Sequence, residues 1–240
     1  MSHILDKIIA DKEQEVQSAR RERPAEMLAE KVEGMAPCRD FYGAITGTSA
    51  RGINVIAEVK KASPSAGLIC RDFDPVKIAE IYQDCGANAV SVLTDEKYFQ
   101  GHITFLSAVK EAVTVPVMRK DFIIDPWQVY ESRTAGADAV LLIADALAPE
   151  RLSDLLELAK KQGMSVLLEM HSKDALLKAR DVTENFSQKG IVAGINNRDL
   201  TTMKVDISAT AKMKSMLEPG TPVVAESGIK TRTDVETLIE

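Results

Sequence analysis

The chain has 240 residues, of which 45% are hydrophobic and 28% charged, and its formal net charge is −6. That length supports one sizeable core, so a single domain over 1–240 is expected, and the composition excludes disordered and fibrous classes. The negative balance argues against a nucleic acid or an acidic membrane as partner and leaves room for a local basic pocket that takes a small anion.

The amino terminus MSHILDKIIADKEQ is charged throughout and lacks the apolar core of a signal peptide, and no apolar run reaches membrane-spanning length. The cytoplasm is the expected location. Ile4, Ile8, Ile9 and Val16 recur among charges up to about Arg20, the pattern of an amphipathic surface helix. A second short helix is expected after Pro24, and Asp40 to Gly47 reads as a lead-in. These segments make up an amino-terminal helical extension, 1–47, ahead of a strand-bearing region, 48–240. Cys38, Cys70 and Cys85 are odd in number and form no C-x-x-C pair, which points to buried or incidental thiols rather than a disulfide framework or a thiolate zinc site.

From there β-branched runs alternate with helical ones. Seven strands are predicted: Asn54–Lys60, Asn88–Thr94, Val115–Phe122, Asp138–Ala144, Ser165–Met170, Ile191–Asn197 and Pro222–Ser227. Their nearly continuous apolar character fits parallel strands covered on both faces. Gly86, Gly136 and Gly163 fall just before strands, where a helix terminator in the left-handed region is expected. The alternation defines an α/β fold, and it suits a closed barrel or an open doubly wound sheet equally. The absence of a G-x-G-x-x-G motif in the first unit lowers the dinucleotide-binding option.

Polar residues terminate most of these strands, and in parallel α/β architectures sites assemble at the carboxyl ends. Glu58 and Lys60, two apart, point to one side of the pleat. Lys120, Glu169, Asn196, Arg198, Glu226 and Ser227 occupy the ends of later strands, an acid–base set directed at one mouth. Each alone reads equally well as a buried ion pair or a solvated strand end; their coincidence favours a site. The Ser-rich stretch KASPSAG after Lys60 has the make-up of a mobile loop able to cover an anion, and Ser227-Gly228 offers backbone N–H groups as a phosphate cradle. His3, His102 and His171 have no ligand spacing, so no metal is expected, and Trp127, after Asp125-Pro126, reads as helix packing.

The ordered motifs IAEVKKASPSAG, RKDFI, LLEM, GINNRDL and AESGI resemble those of the indole-3-glycerol-phosphate synthases over almost the whole chain. The resemblance implies a (β/α)8 TIM barrel with an amino-terminal helical extension at its mouth. It implies a phosphorylated small-molecule substrate, 1-(2-carboxyphenylamino)-1-deoxyribulose 5-phosphate, with no cofactor and no metal. By resemblance Lys120 is the acid for ring closure, and Glu169 binds or polarises the anilino nitrogen. Lys60 contacts the phosphate and serves dehydration, with Glu58 as its partner base. Asn196 is similar to a residue binding a substrate hydroxyl or carboxylate, Arg198 to one supporting the carboxylate side and the first loop, and Glu226 to an active-site carboxylate. Ser63 matches a loop serine near the anthranilate carboxylate, and Ser227 and Gly228 half of a phosphate cradle. Clustering of Lys60, Lys120 and Arg198 is expected to lower a lysine pKa, against the opposing carboxylates.

The family's eighth βα unit should follow TRTDVETLIE, where this sequence stops at Glu240. The expectation is a truncated sequence or a unit supplied by another chain, with an open sheet edge and a half-built cradle. Partners expected beyond the substrate are few: a monomer or weak dimer, with association among tryptophan-pathway enzymes. A non-catalytic or truncated barrel acting as an interaction module is the alternative, and phosphoribosylanthranilate isomerase chemistry ranks lower because no Cys ends the first strand.

Overall fold

The computed structural model describes residues 4–184, 186–199 and 204–239; His3, Leu200 and Glu240 lie outside them. Seven parallel strands form one sheet in the order β1 (Ile56–Val59), β4 (Ala89–Leu93), β5 (Val117–Lys120), β6 (Ala139–Ile143), β7 (Ser165–Met170), β8 (Ile191–Asn196) and β9 (Val223–Glu226). Each falls inside one of the seven predicted segments. Between them run α4 (Pro75–Asp84), α5 (Glu96–Phe99), α6 (Ile103–Ala112), α7 (Pro126–Thr134), α8 (Pro149–Lys161), α9 (Lys173–Thr183) and α10 (Ser208–Lys214), and α11 (Arg232–Ile239) follows β9. Helix starts follow from local chemistry. The carboxylates of Asp74 and Asp125 accept backbone N–H groups of the first turn, and Pro75 and Pro126 occupy the position where a missing N–H costs nothing. Gly86, Gly136 and Gly163 adopt φ of 84°, 92° and 77°, the left-handed exit expected of them.

Pleating divides the strands into two faces. Outward residues such as Val90, Val117, Val140, Leu142, Val166, Leu168 and Ile195 pack under the helices. Inward residues Ala89, Met118, Ala139, Leu141, Ile143, Leu167 and Val192 form a second cluster with Phe41. The sheet is curled: Glu58 on β1 and Glu226 on β9, its two edges, both reach Lys120 on β5, an interior strand. The parallel order, inner core and outer helices are those of a TIM-barrel wall, which decides between the two architectures that the alternation left open.

Two segments hold local structure that the sequence reading did not specify. Asp40–Gly47, read as a lead-in, is the short helix α3 (Phe41–Thr46), capped by the Asp40 carboxylate accepting from Gly43 N–H at 2.8 Å. It delivers the fully buried Phe41 against Ala89 and Ala139, the first residues of β4 and β6, so it plugs the amino-terminal end of the strands. KASPSAG, read as a mobile loop, contains the antiparallel hairpin β2 (Ala62–Ser63) and β3 (Gly67–Leu68), with Ser63 Oγ accepting from Ala66 N–H at 3.2 Å.

The amino-terminal helix α1 (Ile4–Glu22) packs over the other end of the strands and touches α7, and α2 (Ala25–Val32) packs along α7. Val16, Leu28 and Trp127 form one cluster, and the Trp127 indole N–H donates to the Arg23 carbonyl at 2.7 Å. On the buried stripe of α1, Lys12 sits four residues from both Ile8 and Val16. Its ammonium lies 2.9 Å from Asp95 and 3.1 Å from Asp121, both buried. Asp121 also accepts from Arg119 at 3.0 Å and Thr94 at 2.6 Å, while Arg119 reaches Glu131 at 3.0 Å. A surface helix is thereby tied by buried charge to the residue next to Lys120.

Candidate active site

Four of the inner strand faces climb from apolar to ionisable: Ile56 to Glu58 on β1, Met118 to Lys120 on β5, Leu167 to Glu169 on β7, and Val224 to Glu226 on β9. They open into a cavity of about 530 Å³ at the carboxyl ends of the strands, roofed on one side by Ile4, Leu5 and Ile8 of α1 and walled by Phe99 and Phe122. All ten residues singled out from the sequence line it: Glu58, Lys60, Ser63, Lys120, Glu169, Asn196, Arg198, Glu226, Ser227 and Gly228.

Lys120 is the centre. Its Nζ lies 2.5 Å from Glu226 Oε2, 3.2 Å from Glu169 Oε2 and 3.8 Å from Glu58 Oε2. Burial is the largest single influence and pushes the ammonium's pKa down, yet the three carboxylates together outweigh it and hold the pKa well above the usual lysine value. This corrects the expectation of a lowered lysine pKa: the neighbours that decide are anions, and Lys60 is turned to Glu58, to which it donates. That pairing on one side of the pleat is the geometry the two-residue spacing calls for.

Glu169 is the most supported of the carboxylates. Asn196 Nδ2 donates to Oε1 at 3.0 Å, the Lys120 ammonium to Oε2, and His171 Nε2 lies 3.0 Å from Oε1 as an ion-pair contact rather than an aligned hydrogen bond. Burial would raise its pKa, but Lys120, His171 and Asn196 keep it well below the ordinary range. Glu226 goes the other way. Burial first, and then the Glu169 charge, raise its pKa against the pull of Lys120, and its Oε1 is buried with no hydrogen-bond partner. Gly194 on β8 makes room for it: a Cβ there would stand 2.6 Å from Glu226 Oε1. Gly194→Ala is expected to displace that carboxyl and cut kcat/KM by roughly 10- to 100-fold through lost positioning, read against an unchanged thermal unfolding curve.

The remaining residues shape the rim. Asn196 Oδ1 accepts the Arg198 backbone N–H at 3.0 Å, so one side chain orients both Glu169 and the turn beyond β8. After β9, Ser227 and Gly228 take φ of 66° and 81°, and Asn197 Nδ2 donates to the Ser227 carbonyl at 3.2 Å. A serine in the left-handed region is uncommon, and this tie holds it there. At Gly228 an added Cβ would meet Val205 Cγ1 at 2.2 Å.

Sequence reasoning missed His171. It follows LLEM at one pleat's distance from Glu169, which placed it on the same inner face, but lack of a second ligand set it aside. Among the described residues no group of three or more His, Cys, Asp or Glu is placed to hold a metal, and no helix is long and apolar enough to cross a membrane.

A curled parallel sheet with an ammonium among carboxylates at its carboxyl ends defines a TIM-barrel enzyme built for acid–base chemistry. A model of the indole-3-glycerol phosphate synthase family matches residues 5–240. Curated proteins named indole-3-glycerol phosphate synthase are similar throughout. The one from Chlorobium luteolum is 44% identical over 98% of this chain and 87% of its own length, and that from Burkholderia ambifaria 47% identical over 99% and 89%. The N-acetylmannosamine-6-phosphate 2-epimerase from Clostridium perfringens, a solved structure, aligns with a TM-score of 0.59 over 86% of this chain and 87% of that one, at 12% identity, which shows a shared fold. The chain belongs to the indole-3-glycerol phosphate synthase family.

Proposed function

We propose that this protein is a carboxy-lyase of tryptophan biosynthesis that converts 1-(2-carboxyphenylamino)-1-deoxyribulose 5-phosphate to indole-3-glycerol phosphate, carbon dioxide and water. The observation that carries the reading, within a chain of this family, is the Lys120 ammonium held among Glu58, Glu169 and Glu226 at the barrel mouth. In ring closure the aromatic carbon bearing the carboxylate attacks the ketone carbon. The ketone oxygen becomes an alkoxide, and a proton donor at that oxygen lowers the barrier. Lys120 is that donor. Its firmly held proton still moves downhill, since an alkoxide is more basic than an ammonium. Loss of carbon dioxide then restores aromaticity, and dehydration needs an acid at the departing hydroxyl and a base for a proton of the new ring.

The Lys60–Glu58 pair, joined by a hydrogen bond at the end of β1, is suited to that second step. Glu169 holds the anilino N–H, Asn196 and Arg198 hold substrate oxygens, and Ser63 on the hairpin faces the substrate carboxylate. Ser227 and Gly228 supply backbone N–H groups to the phosphate, a task for which left-handed backbone next to a helix start is suited. Phe99, Phe122 and the α1 residues give the aromatic ring an apolar wall. The same reading makes the protein cytoplasmic, acting as a single barrel domain that is a monomer or weak dimer with access to neighbouring pathway enzymes, and with neither nucleic acid nor membrane as partner.

The test is to incubate purified protein with the carboxyphenylamino-deoxyribulose phosphate and follow indole fluorescence. Turnover is expected. Folded protein that forms no indole-glycerol phosphate at micromolar enzyme would overturn the catalytic reading in favour of an interaction module.

A further inference from the structure

The two carboxylates in closest contact with Lys120 are chemically alike and yet their pKa values are pushed in opposite directions, Glu169 down and Glu226 up. Both are deeply placed, both touch the same ammonium, and neither the sheet register nor the distance to Lys120 explains the asymmetry, since Glu226 is the nearer at 2.5 Å against 3.2 Å. The difference lies behind Glu169. There stand two groups that the reaction scheme above does not use, His171 and Asp145.

Asp145 sits in the 3-10 turn Ala144–Ala146 after β6 and is fixed from several sides. Its Oδ2 accepts the His171 backbone N–H at 2.9 Å and lies 3.2 Å from the His171 ring Nδ1, while Oδ1 accepts the Ser172 hydroxyl at 2.8 Å. The turn itself is clamped by Lys178 of α9, whose ammonium donates to the Ala144 and Leu147 carbonyls, each at 2.9 Å. Asp145 is held ionised, so it can only accept, and Nδ1 carries a proton. The other ring nitrogen, Nε2, lies 3.0 Å from Glu169 Oε1. The ring lies between two carboxylates and its side chain is 5% exposed: burial alone would lower its pKa, but Asp145 and Glu169 raise it to about 9, which favours the imidazolium.

We infer that His171, oriented by Asp145, is a positioning residue that holds Glu169 as an oriented anion facing the substrate nitrogen. The inference rests on the reading of Glu169 as the carboxylate that faces the substrate nitrogen. An anion there attracts the anilino N–H throughout the cycle. The charged groups facing His171 are Asp145 from the turn after β6, Glu169 from β7 and, beyond Glu169, Lys120 from β5 and Glu226 from β9. β8 contributes the neutral Asn196, and α1 brings Asp6 and Glu13 to the crevice that Asp145 lines.

The chain has only three histidines, so ring resonances are few enough to assign by nitrogen-detected NMR. In the wild-type protein one ring, identified by its loss in His171→Gln, is expected to have both nitrogens protonated at pH 7.5 and to titrate well above an ordinary histidine. Asp145→Asn and Glu169→Gln are each expected to lower that titration by about one pH unit or more, as loss of an adjacent charge does. In kinetics, His171→Gln keeps an amide donor towards Glu169 but no charge. The acidic limb of its kcat/KM profile is expected to move up by about one pH unit, with a smaller change in KM, whereas a purely structural role would lower thermal stability and leave the limb in place. A ring that titrates as an ordinary histidine, or one unmoved by Glu169→Gln, overturns the inference, and so does an unshifted limb. If the wild-type protein makes no product, the proposed function fails, while the NMR arm still decides whether His171 is the cation beside Glu169.

Discussion

Lys120→Met is expected to abolish all but about one part in 10² to 10⁴ of kcat, the span that general acid catalysis by a positioned side chain supplies. The argument rests on what surrounds Lys120. Its ammonium is in direct contact with Glu58, Glu169 and Glu226 together. Methionine preserves the length and apolar stem of the side chain while removing both the proton and the charge, so the cavity keeps its shape and loses its donor. Glu226 already favours the protonated form, and Glu169 retains Asn196 and His171, so the variant should fold. Measured by indole fluorescence beside a thermal melt, a folded Lys120→Met protein retaining a tenth or more of wild-type kcat would remove Lys120 from the acid role.

Asp121→Ala is expected to be the more damaging change to stability, by about 3–5 kcal/mol, because it strips a shared anion from buried cations. Asp121 is completely enclosed and answers Arg119, Lys12 and the Thr94 hydroxyl at once. Without it Lys12 keeps Asp95, while Arg119 keeps Glu131, but both lose their closest common partner. For a chain of this size the loss corresponds to a fall in Tm on the order of 10 °C. Burial alone would raise the Asp121 pKa, but Arg119 and Lys12 outweigh it and hold it far below the usual carboxylate range. A depressed folded-state pKa stabilises fully above the unfolded value, near about 4, and that contribution is lost as pH falls through the folded value. The gap in Tm between wild type and Asp121→Ala should therefore be wide at neutral pH and narrow progressively below about pH 4. A gap that stays constant from pH 7 to pH 3 would show that packing rather than charge is responsible.

What the sequence disclosed and what it concealed divide along a physical line. The seven strands were legible because long apolar runs bounded by turn residues need no tertiary information, and Gly86, Gly136 and Gly163 punctuated them correctly. The site was legible because ionisable residues at the ends of apolar strands have few structural reasons to be there. Helix α3 was not, since six residues are too few for periodicity and Phe41 acquires its meaning only from Ala89 and Ala139. The β2–β3 hairpin has strands of two residues each, below any pattern. Lys12 left a signal that was passed over: its spacing from Ile8 and Val16 puts it on the apolar stripe, where a lysine calls for a buried anion. His171 depends on Asp145, twenty-six residues earlier, and only the fold brings them together.

The placement of α1 and α2 has a consequence for synthesis on the ribosome. These helices emerge before the strands, and their partners are encoded far downstream: Arg20 pairs with Asp125 across 105 residues and Arg23 with Glu131 across 108. The stripe of α1 that carries Ile8, Lys12 and Val16 therefore stays undocked until half the chain has appeared, because Lys12 cannot leave water before Asp95 and Asp121 exist to receive it. A nascent chain paused between those points would present an amphipathic helix with a charge in its apolar stripe, a feature that weakens premature self-association. Docking of that helix then reports that the central strands are in place, so closure of the mouth comes late in assembly by construction of the sequence itself.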